Sequence, residues 1–526
     1  MKVLVSDALG EIGIEMFQKE DGIDVDVKTG LPPEELKAII GEYDGLVIRS
    51  ATKVTEDLLE AATNLKVVGR AGIGLDNVDI PAATKRGVVV MNTPEGNVIT
   101  TAEHAIAMMM ALSRNIPMGT SSLRAGRWDK KQLQGREIFN KTLGLIGFGK
   151  IGSIVADRAR GLKMQVIIYD PYVTAEQMAK AGFESVSLEE LYKRADYITV
   201  HVPKMKETLG LVDKAAFDQM KEGVMLINCA RGGIVNENDL HDAMQSGKVA
   251  GAALDVFETE PPGECQLFEN DRLICTPHLG ASTREAQTNV AVAVASQIIA
   301  YLGSGTVINA VNAPSVTGEL LVRVGPYLTL GEKMGLIQAQ INKGAIEEVR
   351  IEYYGDFGDL DMSPVSTAIL KGLLTPVVKD DVNFVNAPVI AKSRGVRVKE
   401  TTTSDSDHFV NLITVSVKTT AAESDVSGTI FGKQDPRVVK INNFELELTP
   451  DGHQALINNL DQPGAIGSIG ALLGDKGINI AQMQVGQDED GENNIIIIKT
   501  DTQMPDDVVA AMRDLPLINT VTPLEF

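Results

Sequence analysis

The chain has 526 residues, of which 44% are apolar and 4% aromatic, and 71 acidic side chains against 49 basic ones set a formal charge of −22. That length supports three or four domains with cores of their own, and the acidity argues against a nucleic-acid surface, which needs clustered Lys and Arg. The longest apolar stretches, Ala105 to Leu112 and Val290 to Val294, fall far short of the roughly 20 residues of a membrane helix.

Met1-Lys2-Val3-Leu4-Val5 reads as a first strand without signal-peptide architecture. Short apolar runs then alternate with helical stretches: Lys2 to Asp7, Asp24 to Lys28, Gly45 to Ser50, Lys66 to Ala71 and Gly87 to Asn92. A second series runs Thr142 to Gly147, Gln165 to Asp170, Tyr197 to Pro203, Val224 to Arg231, Gly251 to Phe257 and Leu273 to His278. Such alternation predicts α/β structure with parallel sheets covered on both faces, here two doubly wound units in tandem. A helix-period run from Ser282 to Leu302 leads to Ile308 through Pro314, a return across the first unit, and Pro314-Ser315 marks the exit. The first unit is therefore expected at 1–96 with 282–314, and the second at 97–281.

Residues 315–445 read as a mixed α/β domain, with a helical start around Gly331 to Asn342, a strand at Glu348 to Tyr354 and β-rich segments such as Phe409 to Lys418. The stretch 453–526 runs strand His453–Asn459, helix Gly464–Gly474, strand Ile478–Val485, strand Asn494–Lys499, helix Pro505–Leu515 and strand Thr520–Phe526. This βαββαβ order is the ferredoxin-like, split βαβ pattern.

Between the first strand of the second unit and a helix lies Gly147-Phe148-Gly149-Lys150-Ile151-Gly152, and Asp170 closes the next strand. The first glycine makes the tight turn, the second lets backbone approach a pyrophosphate, and the third lets helix pack on strand. The helix N-terminus then faces the phosphates. An acid about 20 residues beyond the turn accepts hydrogen bonds from ribose hydroxyls and repels a 2′-phosphate, so NAD is expected rather than NADP.

Open α/β sheets bind ligands at the carboxyl ends of their strands. Those ends carry Arg49, Arg70 and Asn92 in the first unit, and Asp170, His201, Arg231, Asp255 and His278 in the second, which predicts one cleft between the units. Arg231, Glu260 and His278 suit hydride transfer at an alcohol carbon. The arginine fork holds a carboxylate and polarises a carbonyl, the histidine takes and returns the hydroxyl proton, and the glutamate orients the imidazole and favours its charged form. Singly, each residue also fits a loop, packing or surface ion-pair role; their common position at the strand ends distinguishes them. His104 and His201 are weaker candidates, and His104, at the start of an apolar helix, reads as a core or interface residue. Cys229, Cys265 and Cys275 lack CxxC spacing, and His241, His408 and His453 lack partners at ligand spacing, so reduced thiols, a cytoplasmic setting and no metal are expected.

The stretches Gly69 to Asp79, Gly147 to Gly152, Cys229 to Gly233 and Pro277 to Ser282 resemble the D-isomer-specific 2-hydroxyacid dehydrogenases. Asp461-Gln462-Pro463-Gly464-Ala465-Ile466-Gly467 through Gly477-Ile478-Asn479-Ile480 is similar to the ACT signature. The resemblance covers the whole chain and implies the long form: a flavodoxin-like substrate domain, a Rossmann NAD domain, an intervening domain and an ACT domain. It implies Arg231, Glu260 and His278 as catalytic residues. It also implies an NAD site of Gly147, Gly149, Lys150, Ile151, Gly152, Asp170, Val202, Cys229, Ala230, Arg231, Asp255, His278 and Gly280. Arg49, Ser50, Lys53, Arg70, Gly72 and Asn97 resemble the substrate-facing positions, for a substrate such as 3-phosphoglycerate. Ile73 and Val202 depart from the family, several members of which carry threonine there. The ACT-like region implies an amino-acid effector, L-serine, at Asn459, Asp461 and Asn479, or alternatively an oligomerisation module without ligand; a homotetramer is the family's expectation. A glyoxylate or hydroxypyruvate reductase, or an NADH-sensing interaction protein on the same body, are the competing readings.

Overall fold

The computed structural model describes residues 1–314, 318–357, 360–378, 382–404, 409–487 and 493–526. In the first unit, β1 (Lys2–Val5), β2 (Asp24–Val27), β3 (Gly45–Ile48), β4 (Val67–Arg70) and β5 (Val89–Asn92) form a parallel sheet ordered β2-β1-β3-β4-β5. This is the flavodoxin-like order. The inner strands are continuous apolar runs such as Leu46-Val47-Ile48, buried from end to end, as expected of strands covered on both faces. The helix Arg284–Ser304 packs Val294 and Ile298 against Val3, Val5 and Val67 of this sheet. The chain then runs along β5: Ala310 bridges Met91, and Asn312 accepts from Val90 N at 2.8 Å and donates to Val88 O at 2.9 Å.

The second sheet contains β6 (Thr142–Ile146), β7 (Gln165–Tyr169), β8 (Glu184–Ser185), β9 (Tyr197–Val200), β10 (Val224–Asn228), β11 (Val249–Leu254) and β12 (Leu273–Cys275). All pairs are parallel and the order is β12-β11-β10-β9-β6-β7-β8, a Rossmann order with one more strand. The exposed two-residue β8 carries no hydrophobic alternation and is absent from the predicted runs.

The third sheet is mixed, ordered β14-β13-β15-β16-β17-β18, from β13 (Ile346–Gly355), β14 (Arg397–Thr403), β15 (Asn411–Thr419), β16 (Glu423–Phe431), β17 (Asp435–Ile441) and β18 (Phe444–Leu448). The helix over it starts at Gly318, not near Gly331, and runs to Ile341 with Pro326 inside it. Pro326 and the glycines mask the periodicity; close packing on the helix Ser363–Leu374 overrides propensity. A Cβ at Gly335 would lie 2.1 Å from Ile369 O, so the two backbones touch.

The last sheet, from β19 (His453–Leu460), β20 (Ile480–Gln487), β21 (Asn493–Thr500) and β22 (Ile518–Glu525), is antiparallel and ordered β20-β21-β19-β22, the ferredoxin-like arrangement. One face carries the helices Ala465–Asp475 and Asp506–Arg513. The other buries Leu456, Ile495, Ile497 and Leu524 in one core with Leu330, Met334 and Ile337. Gln340 donates to Glu525 O and accepts from Glu525 N, covering the β22 edge.

A second junction joins the third region to the first sheet. Val385, 4% exposed, packs into the core of Val3, Val5 and Met91, and Asn383 Nδ2 donates to Gly87 O at 3.0 Å. Val385→Asp places a carboxylate in this apolar contact, at a penalty on the order of 3 kcal/mol. The expected result is undocking: faster limited proteolysis around residues 382–387 with the parallel-sheet units still folded.

Candidate active site

The glycine turn begins where β6 ends. Gly149 precedes the helix Lys150–Gly161, whose N-terminus no side chain caps, leaving its first N–H groups to an anion. A Cβ at Gly149 would meet nothing within 4 Å, whereas one at Gly152 would lie 2.0 Å from Gly147 O. The first glycine leaves room for a ligand; the second lets the helix approach the strand. Asp170 accepts from Phe148 N at 2.7 Å and from Tyr172 N at 2.8 Å, so its carboxylate stands directly over the turn. Open space, uncapped amides and an acid at the next strand end fit an adenine dinucleotide with a free ribose 2′-hydroxyl. Ile151 packs partly into the core beneath the turn, and Val202 packs on the opposite side of the sheet. Lys150 pairs with Glu95 of the facing segment at 3.1 Å.

Across the cleft, the strand ends of the first unit gather cations. Asp7 accepts from Arg49 N at 2.6 Å and Thr52 N at 3.1 Å, and Asn77 donates to Arg49 O at 2.8 Å and Thr52 O at 2.6 Å, which shapes the 49–52 loop. Arg70 donates to Asn77 Oδ1 at 3.1 Å and to Ser50 Oγ at 3.3 Å, and its guanidinium also lies against Gly72. Burial, with the neighbouring charges of Arg231 and Arg49, pushes Arg70 down to about 10 against the opposing pull of Asp76 and Asp7. It stays cationic at neutral pH, and an anion would relieve the crowding. Arg231 reaches over from the second unit, donating from Nε to Asp76 at 2.8 Å and from Nη1 to Ala230 O at 2.7 Å. Asn97 begins the helix Val98–Ser113 with a buried Oδ1 that has no protein partner among the described residues. Lys53 is exposed on the neighbouring loop.

The turns after β10 and β11 leave the sheet side by side, since Asp255 N donates to Asn228 O at 3.0 Å. Asn228 shapes the first turn by accepting from Ala230 N and donating to Arg231 O, both at 3.0 Å. On the second, Glu260 Oε1 accepts from Phe257 N at 3.1 Å, and Oε2 lies 2.7 Å from His278 Nδ1. A carboxylate only accepts, so the ring carries its proton on Nδ1 and leaves Nε2 to a reacting group. The predicted His–Glu pair is therefore in contact and half-exposed.

Other placements differ in kind from a simple lining role. The Cys229 side chain is buried in the core, which pushes its thiol up, so it offers a cofactor main chain only. Asp255 is buried and its carboxylate is engaged by Thr276 Oγ1, Leu279 N and Gly280 N. Burial raises its pKa, but hydrogen bonds from His104, Thr276 and Leu279 outweigh that and hold it below the usual carboxylate range. His201 bonds Thr199 at 2.9 Å, and burial pushes it down to about 4, leaving it neutral. Asp76 and Asn77, which organise the arginines, went unassigned in the sequence because a polar pair in a glycine-rich loop has no periodicity to mark it.

The three effector positions do not converge in one chain. Asn459 opposes Asn494 at one end of the last sheet, and Asp461 accepts from Asn494 Nδ2 at 2.8 Å. Asn479 bonds Asp501 at 2.7 Å just before Ile480, which pairs with Thr500 and through it lies beside His453. The strand rise puts the two ends about 20 Å apart. Among the described residues no cluster of His, Cys, Asp or Glu could hold a metal; His408 lies outside them.

Family models match along the chain: D-isomer specific 2-hydroxyacid dehydrogenase, NAD binding domain, at residues 106–280; D-3-phosphoglycerate dehydrogenase intervening domain at 323–442; and ACT domain at 453–517. The D-3-phosphoglycerate dehydrogenase of Archaeoglobus fulgidus is 42% identical over 528 residues, covering 100% of both chains. The chain belongs to the D-3-phosphoglycerate dehydrogenase family. The Bacillus subtilis member is 42% identical over 99% of this chain and 98% of its own. Among solved structures, a D-lactate dehydrogenase from Aquifex aeolicus complexed with NAD and lactic acid aligns at 29% identity and TM-score 0.53, over 60% of this chain and 100% of its own. A Paecilomyes thermophila glyoxylate reductase aligns at 28% and 0.55, over 59% and 98%. The family's NAD-binding domain is thus present, with the glycine turn inside it.

The two glycines fail differently when replaced. Gly149→Val should weaken NADH binding on the order of 100-fold, about 2.7 kcal/mol, with the melting temperature nearly unchanged. Gly152→Ala should instead destabilise the fold by about 1–3 kcal/mol through overpacking. Fluorescence titration with NADH and thermal melting separate the two.

Proposed function

We propose that the chain oxidises 3-phospho-D-glycerate to 3-phosphohydroxypyruvate with NAD, the first step of phosphorylated L-serine synthesis. The observations that carry this reading are the His278–Glu260 contact of 2.7 Å and the crowding of the positive charges of Arg49, Arg70 and Arg231. The full-length likeness to proteins named D-3-phosphoglycerate dehydrogenase supports the same substrate. The arginine cluster favours a doubly anionic, phosphorylated acid over glyoxylate.

NAD bound at the turn supplies the hydride acceptor. Gly147, Gly149, Lys150, Ile151 and Gly152 hold its phosphates, Asp170 its ribose, and the main chain at Cys229, Ala230 and Gly280, with Val202 and Asp255 behind it, completes the pocket. Arg231 binds the substrate carboxylate and polarises the carbon–oxygen bond. Arg49 and Arg70, with Ser50, Lys53, Gly72 and Asn97 around them, hold the phosphate end. His278 takes the hydroxyl proton on Nε2, and Glu260 stabilises the imidazolium that results.

In the regulatory half, Asn459 and Asp461 of one chain and Asn479 of a second form an L-serine site across paired ACT sheets, because one chain alone separates them. The assembly is a homotetramer. Ile116, Leu123, Trp128 and Phe139, the last two 80% and 58% exposed, supply the apolar contact between NAD domains. Among the described residues no helix is long and apolar enough to cross a membrane, and the free thiols Cys229, Cys265 and Cys275 suit the cytoplasm.

His278→Asn should lower kcat by about 10²–10⁴-fold, the usual worth of general acid–base catalysis, with NADH binding intact; unchanged turnover would refute the assignment. Asn459→Ala and Asn479→Ala should each abolish inhibition by L-serine while kcat stays within about twofold. Inhibition retained in both variants removes the effector reading.

A further inference from the structure

His278 holds a left-handed backbone at φ 54°, which a residue with a side chain keeps only when its surroundings fix it. The fixing group is the buried Asp255, 1% exposed. Its Oδ1 accepts from Leu279 N at 2.7 Å and from Thr276 Oγ1 at 2.5 Å, and its Oδ2 accepts from Gly280 N at 2.8 Å. Its main-chain carbonyl accepts from His278 N at 2.9 Å. The turn on both sides of the imidazole is thus tied to one residue.

A stripe on one helix grips the same turn. Asn97, Thr101, His104 and Met108 recur at spacings of three and four, which brings them to one face of the helix Val98–Ser113. The Thr101 hydroxyl is shared between Asn97 O at 3.0 Å and Gly280 O at 3.1 Å, and Thr276 Oγ1 lies 4.0 Å from Met108 Sδ. His104 Nε2 lies 3.1 Å from Thr276 Oγ1 and 3.2 Å from Asp255 Oδ1. The Thr276 hydroxyl proton is committed to Asp255, so Thr276 accepts here, and His104 donates from Nε2–H.

We propose that His104 is a positioning residue for the reaction: through Thr276 and Asp255 it holds the 276–280 turn and so the direction in which His278 presents Nε2. This rests on the reading of His278 as proton acceptor. Without His104 the buried carboxylate network lacks a donor, and its members shift to recover one. Small displacements of a catalytic group are costly to rate, about 100-fold for 1 Å.

The test uses the full-length chain with His104→Leu, which removes the donor, and His104→Gln, which keeps an N–H at similar reach. His104→Leu should speed hydrogen exchange at the Leu279 and Gly280 amides about tenfold. It should also lower kcat about tenfold or more with KM for NAD within about twofold. His104→Gln should restore both. If His104→Leu does not fold, Thr276→Val should show the same two changes and Thr276→Ser should reverse them. Unchanged exchange at Leu279 and Gly280, or glutamine as slow as leucine in a protein that binds NADH normally, overturns the proposal. Exchange does not depend on substrate. Faster exchange in a protein whose unsubstituted form fails to oxidise 3-phosphoglycerate rejects the functional reading and leaves the turn-holding role in place.

Discussion

Three guanidinium groups, those of Arg49, Arg70 and Arg231, stand close enough together to repel one another, and Asp7, Asp76 and Asn77 are arranged around them. Arg70 is partly buried near Arg49 and Arg231 and is pushed down to about 10. Asp7, Asp76 and Asn77 hold the fork and loop geometry without neutralising all of the charge. Each such contact is partly exposed and contributes little to stability by itself. Together they leave an excess of positive charge, which in the proposed reaction a phosphate and a carboxylate would offset.

The opposite wall works by main-chain geometry. Asp170 over the glycine turn, Asn228 under the Arg231 turn and Asp255 under the His278 turn are each a side chain that holds backbone N–H groups at a strand end. A parallel sheet ends all its inner strands on one edge, so three acids or amides of this kind shape three loops along that edge. The chemistry-bearing side chains then project from turns whose shape they do not themselves determine.

Much of this was legible in the residues. Strands buried on both faces, such as β3, β9, β10 and β11, are written as continuous apolar runs and could be read directly, edge strands such as β2 and β12 followed from the alternation with helices, and the glycine spacing with Asp170 located the nucleotide edge. What escaped had no local pattern. The β8 strand is two exposed residues, and the helix from Gly318 is interrupted by Pro326 and stabilised by a partner distant in sequence. Asp255 reads as a lining residue at a strand end, while its work as an internal clamp depends on loops that meet only after folding. Asn459 and Asn479 lie close in sequence, yet strand order sends them to opposite ends of the last sheet.

The helix Arg284–Ser304 belongs in space to the first sheet although it follows the second in sequence. The polypeptide therefore passes between the two units twice, once before the helix Val98–Ser113 and once before Arg284. Two covalent crossings define a line, and swinging about that line strains neither, whereas twisting or sliding strains both. The two covalent connections thus favour one axis for any rotation of one unit against the other.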